Sequence, residues 1–224
     1  MCDTITLALD AEQLAANHRL MRAKLAAHLQ QVNSTVPSNT LSTTATEWHT
    51  QPTSYAALND WLFDQGSLTQ RLTQRCRTEF RVEVLVEGWQ TLTENECQAL
   101  KIAHHSRGWV REVLLCDGQH PWVFARSVAA QAELAASGFD ISQLGTRSLG
   151  ELLFSHQAFS RGSMYIAQIP CSQLPANVQQ LTAEHTYLWA RRSCFQKNAL
   201  GVLVAEVFLP QLWQDTHNLN FNTE

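Results

Sequence analysis

The sequence predicts an α+β fold in which an antiparallel sheet carries a group of helices, and three observations lead there. Segments such as FRVEVLVEGW (80–89) alternate apolar and polar side chains with the period of a strand. Asp117-Gly118 separates two such segments as a tight hairpin turn would, and Asn198 separates two more. The helical stretches are grouped rather than placed between successive strands, which argues against a parallel sheet.

Taken in order, residues 10–31 (DAEQLAANHRLMRAKLAAHLQQ) contain no Gly or Pro and have strong helical propensity. Leu14, His18, Met21, Leu25 and Leu29 recur at three- and four-residue steps and form a narrow apolar stripe. An N-terminal helical extension is therefore expected over 1–31. Residues 32–54 shift to Ser, Thr, Asn and Pro, too polar to offset the entropy of ordering, and read as a linker. The main domain is expected over 55–217, with a short tail at 218–224.

Within that domain, 55–63 and 68–76 read as short helices, followed by a strand at 80–89 with Phe80, Val82, Val84 and Val86 on one face. Strands at 109–116 and 122–128 flank the Asp117-Gly118 turn. After a helical stretch, 148–154 is again helical, and strands are expected at 163–169, 188–195 and 200–209.

The 224 residues are 45% hydrophobic, enough for one packed domain. A formal charge of -4 supplies no basic field for phosphates, so nucleic-acid binding is disfavoured and a small molecule is the expected partner. The six cysteines show no CxxC pair and join no histidine at metal-ligand spacing, so no zinc site is expected. No basic and apolar leader opens the sequence, and no apolar run approaches the roughly 20 residues that span a bilayer. A cytoplasmic protein with free thiols is expected. His104 and His105 read as a surface loop. Motifs of serine hydrolases, dinucleotide enzymes, NTPases and zinc proteases are absent from the sequence.

Period-two alternation puts Arg111 on the face of Trp109, Val113 and Leu115, and Glu206 on the face of Leu200, Val202, Val204 and Phe208. Both charges thus point inward. Burying either one alone costs several kcal/mol, so each needs a partner, either the other residue in a structural salt bridge or a ligand. Arg126 shares a face with Trp122, Phe124 and Val128, and one of Arg191 and Arg192 must also point inward. For these arginines, an apolar stem with a solvated head is the competing reading. Ser148-Leu149-Gly150-Glu151 and Ser67-Leu68-Thr69-Gln70 match the capping-box pattern that starts a helix. They place Leu149 and Leu68 in first turns, where backbone N–H groups lack intrahelical partners.

The segments WVREVLLC (109–116), PWVFARSV (121–128), LGTRSLGELLF (144–154), LWARRSCF (188–195) and LVAEVFLP (203–210) resemble, in order, those of bacterial chorismate pyruvate-lyases over roughly 55–210. The resemblance implies an antiparallel sheet with helices closing over a buried ligand pocket. It implies a cofactor-independent lyase that splits chorismate into 4-hydroxybenzoate and pyruvate, the first committed step towards ubiquinone. It also implies that Arg111 pairs with the ring carboxylate, assisted by backbone N–H groups of Leu149 and Leu68, and that Glu206 faces the 4-hydroxyl. Arg126, with Arg191 or Arg192 as second choice, is assigned by face parity to the enolpyruvyl carboxylate. A monomer is expected.

Two positions depart from the family pattern: Ala205 stands where Thr often precedes the catalytic Glu, and Val128-Ala129-Ala130 replaces a common Val-Pro. The competing reading is a non-catalytic small-carboxylate-binding module, because the lyase fold resembles effector domains of bacterial transcription regulators. The first 50 residues lack the second helix and basic face of a DNA-binding head. An interaction protein using helix 10–31 would leave Arg111 and Glu206 without a purpose.

Overall fold

The computed structural model describes residues 46–139, 145, 147–155, 159–182 and 185–216. The helix expected over 10–31, the linker up to residue 45 and the tail from 218 lie outside the described residues. The chain divides into the units Met1–Thr44 and Ala45–Glu224, and the described residues all lie in the second.

Helices α1 (Ala56–Leu62) and α2 (Leu68–Thr73) precede β1 (Phe80–Thr91) and α3 (Glu94–Leu100). Then come β2 (Arg107–Asp117), β3 (His120–Ala130), α4 (Gln131–Ser137) and α5 (Leu149–Ser155). The chain continues through β4 (Ser160–Arg161), β5 (Tyr165–Pro170), a 3-10 turn at Cys171–Gln173, α6 (Ala176–Gln179), β6 (Tyr187–Lys197), β7 (Leu200–Phe208) and α7 (Pro210–Thr216). The strands form one sheet in the order β1-β2-β3-β7-β6-β4, with β5 also on β6, and every pairing is antiparallel.

Both faces of the sheet are covered. On one, Leu58 and Trp61 of α1, Leu72 of α2 and Trp213 of α7 pack on Val113, Val123 and Phe208. Farther along it, Leu134 of α4 and Leu153 of α5 pack on Ala129 and Val202. On the opposite face, α3 packs Cys97 and Leu100 on Val110, Val128 and Leu203, while Cys171 and Val178 pack on Phe124 and Val207. At about 1.5–3 kcal/mol for each fully buried large apolar side chain, these two layers hold the sheet.

The hairpin turn forms as its sequence demands. Gly118 has φ +56°, and a Cβ there would sit 2.6 Å from Thr78 Oγ1. The Asp117 carboxylate accepts from the N–H groups of Arg77 and Thr78, fixing the approach to β1. The Ser67 side chain caps α2 by accepting from Gln70 N, as its pattern predicts. Helix α3 is an addition to the expected elements, although Thr93 and Glu96 carry the same pattern and form both halves of a capping box.

Strict alternation fails at two bulges. Between Val84 and Val86 the β1 register slips, so Val86 lies opposite Glu112 and Glu87 lies opposite Arg111. Val86 therefore leaves the face of Val82 and Val84, and Glu87 joins it. A second slip, between Leu115 and Cys116, frees Trp122 from the face of Phe124 and places it in the cluster of Val123 and Ala125.

Residues at the end of the expected linker are already part of this fold. His49 exchanges backbone hydrogen bonds with Ile166, Trp48 packs on the cluster around Phe124, and Thr53 holds Asn59 of α1. A deletion through residue 53 should therefore melt below a deletion through residue 44, by on the order of 5 °C for a loss of about 2 kcal/mol. Equal melting temperatures in calorimetry would show that 46–53 adds nothing.

Candidate active site

The site originates in the small side chains of β3. Facing the α1/α2/α5 layer, β3 presents Ala125 and Ser127 between Arg111 and Val113 of β2 and Glu206 of β7. Larger residues there would fill the space. Instead a small cavity of about 30 Å³ remains, with Arg111, Ser127 and Glu206 on its floor and Thr69, Arg147 and Leu149 among its covering residues.

Arg111 is 2% exposed. Its Nη1 donates to Glu87 Oε1 at 2.6 Å, and its Nη2 donates to the carbonyls of Gly145 (2.7 Å) and Arg147 (3.0 Å). One guanidinium thus anchors the segment entering α5 and faces the cavity. These bonds use part of its five donors, and Nε enters none of them.

Glu206 lies two strands away. At 4.7–4.9 Å per strand the two backbones are roughly 10 Å apart, and each charged group is turned to other partners. The structural bridge considered from the pattern does not form. Glu206 Oε2 instead accepts from Arg191 Nε at 2.6 Å. Arg191 is fully buried, and its Nη1 donates to the carbonyls of Trp61 (2.8 Å) and Asp64 (3.1 Å) at the end of α1, where helix carbonyls lack partners. Of the two adjacent arginines, Arg191 is therefore the inward one. Arg192 is on the other face, over the Trp48 ring and bonded to Asn95.

Leu149 lines the cavity directly. Leu68 is buried in the neighbouring apolar cluster, and its successor Thr69 does the lining. Thr69 Oγ1 and Ser148 Oγ share a 2.6 Å hydrogen bond that joins the starts of α2 and α5. The Glu151 side chain of the second capping pattern lies outside the described residues.

Arg126 is not brought to this site. Its neighbours Ala125 and Ser127 face the cavity, so Arg126 faces the opposite way and binds Glu96 and Glu112, each at 2.6 Å. Burial works against the Glu96 carboxylate, but Arg126 and the Thr93 N–H and hydroxyl hold its pKa below the usual value. This group is a structural clamp between α3 and the sheet. Arg126 does share its face with Phe124 and Val128, though not with Trp122, but the pocket is on the other face, which removes Arg126 from it.

Glu87, Thr69, Ser127 and Arg147 are site residues that the sequence does not single out. Glu87 is hidden by the bulge, and Arg147 stands in a recognised segment with nothing to mark its direction. His104 is in an exposed turn, as expected. Among the described residues no three His, Cys, Asp or Glu side chains form a metal-ligand group.

An α+β domain with an arginine and a carboxylate at opposite ends of one cavity has the build of a small-organic-anion site. The comparisons with known proteins are more specific. The family model for chorismate lyase matches residues 36–218. A Pseudomonas aeruginosa protein named "Probable chorismate pyruvate-lyase" is 60% identical over 154 residues, covering 69% of this chain and 84% of that one. A Pseudomonas putida protein of the same name is 54% identical over 155 residues, covering 69% and 81%. The chain belongs to the chorismate lyase family. Among solved structures, the effector-binding domain of the Bacillus subtilis trehalose repressor matches with TM-score 0.46 and 10% identity, covering 64% of this chain and 98% of that one.

Proposed function

We propose that this protein is a chorismate pyruvate-lyase whose reaction takes place in the Arg111–Glu206 cavity. The observation that carries the reading is the placement of those two groups about two strands apart over the small floor of Ala125 and Ser127. That span suits a six-membered ring bearing a carboxylate at one end and a hydroxyl at the other.

Chorismate is a dianion with an enolpyruvyl ether beside its 4-hydroxyl. Its C–O ether bond breaks, the ring proton at C4 leaves, and the enolpyruvyl methylene takes up a proton to give pyruvate. The ring becomes aromatic, so the driving force is in the substrate. The protein's task is to hold the reactive conformer away from water. Arg111, with backbone N–H groups of Leu149 and Leu68, holds the ring carboxylate. Glu206 accepts from the 4-hydroxyl and either relays a proton or stabilises charge as the ether breaks.

In this reading the protein is a cytoplasmic monomer that needs no cofactor and supplies 4-hydroxybenzoate for ubiquinone. Among the described residues no helix is long and apolar enough to cross a membrane. Purified, chelator-treated full chain incubated with chorismate should yield 4-hydroxybenzoate and pyruvate in equal amounts. Tight chorismate binding with no product, even after divalent cations are added, would instead identify a binding module.

A further inference from the structure

We infer that Arg191 and Arg161 form an anion subsite beside Glu206 that receives the enolpyruvyl carboxylate of the substrate. The inference rests on the lyase reading above and adds the second of the substrate's two charges to it.

The first observation is an incomplete set of hydrogen bonds. Arg191 Nε and Nη1 are satisfied by Glu206, Trp61 and Asp64, yet its Nη2 is buried with no hydrogen-bond partner. A buried donor left without an acceptor costs about 1–3 kcal/mol, more on a charged group, so a fold that retains one needs a reason. A ligand oxygen supplies it.

The second is a like-charged neighbour. Arg161 Nε donates to Ser193 Oγ at 2.8 Å, and its Nη1 donates at 3.3 Å to the carbonyl of Asp64, which also accepts from Arg191 Nη1. Sharing one acceptor makes the two guanidinium groups close neighbours. Burial, and next the charge of Arg191, push the Arg161 pKa down to about 10, with Glu206 and Asp64 offsetting part of the shift, so it stays protonated at neutral pH while still repelled by its neighbour. An anion between them would relieve that repulsion.

The third is position. Arg191 is the cross-strand partner of Glu206 on β6. In chorismate the hydroxyl and the enolpyruvyl ether sit on adjacent ring carbons. A hydroxyl held at Glu206 therefore directs the enolpyruvyl arm to a neighbouring side chain, and Arg191 occupies such a place. Arg126, on the other face, does not.

The subsite separates substrate from product, because 4-hydroxybenzoate lacks the second carboxylate. Arg161→Gln and Arg191→Lys should each raise the KM for chorismate by roughly 10- to 100-fold, the loss of one charge-assisted bond. Calorimetric affinity for 4-hydroxybenzoate should stay within about threefold of wild type, the size of a minor perturbation. If Arg191→Lys does not fold, because it also holds Glu206 and α1, Arg161→Gln decides. Equal weakening of both ligands, or an unchanged chorismate KM in a folded Arg161→Gln protein, overturns the subsite. A wild-type protein that forms no product overturns the lyase reading instead.

Discussion

Glu206→Gln should lower chorismate turnover by roughly 100-fold or more, the usual scale for losing a positioned acid-base group. The amide keeps the size of the side chain and can still accept from Arg191, but it removes the charge opposite a fully buried guanidinium. Stability should therefore fall as well, by roughly 1–3 kcal/mol, because the buried guanidinium keeps a hydrogen bond but loses its counter-charge. The melting temperature and the rate need to be read together. Adding Arg191→Met removes the buried cation but also the donor to the Trp61 and Asp64 carbonyls, so the double variant should regain little of the lost stability. Its turnover should stay low, while 4-hydroxybenzoate still binds through Arg111. Near-normal turnover in Glu206→Gln, with only a lower melting temperature, would reduce Glu206 to a structural partner of Arg191.

Arg111→Lys should weaken chorismate and 4-hydroxybenzoate together by roughly 10- to 100-fold, since an ammonium cannot reproduce a planar fork on a carboxylate. The structure adds a second cause. Arg111 also ties the carbonyls of Gly145 and Arg147 to the sheet, and a lysine cannot reach Glu87 and both carbonyls in the same geometry. The residue proposed to meet the ligand is thus the one that anchors the segment entering α5. Titration calorimetry with 4-hydroxybenzoate checks this, and unchanged affinity would leave Arg111 with the structural task alone.

These two residues are legible in the sequence for a simple reason. Each interrupts an apolar face in a strand long and regular enough for parity to hold locally, as β2 is up to Leu115 and β7 is throughout its pairing with β3. Their partners are not legible. Glu87 meets Arg111 only because a bulge shifts β1, and Arg191 meets Glu206 through a cross-strand register that no local pattern encodes. Arg126 shows a second limit: alternation says which residues share a face, not which face holds the cavity. That is decided by Ala125 and Ser127, whose small size carries no signal until β2 and β7 are known to flank them. Helix α3 is a different case, since its Thr93–Glu96 capping pattern is as readable as the one that starts α2. Of the five ordered segments that point to the family, those on β2, β3, the start of α5 and β7 line the cavity, and the one on β6 supplies Arg191 to Glu206.

The lyase reading depends on how the ring lies between Arg111 and Glu206, and a crystal structure with bound 4-hydroxybenzoate decides that orientation. The carboxylate should lie within hydrogen-bonding distance of the Arg111 guanidinium and the backbone N–H groups of Leu149 and Leu68, with the hydroxyl at Glu206, above Ala125 and Ser127. Product bound in the reverse orientation, or outside this cavity while the enzyme remains active, would refute that placement.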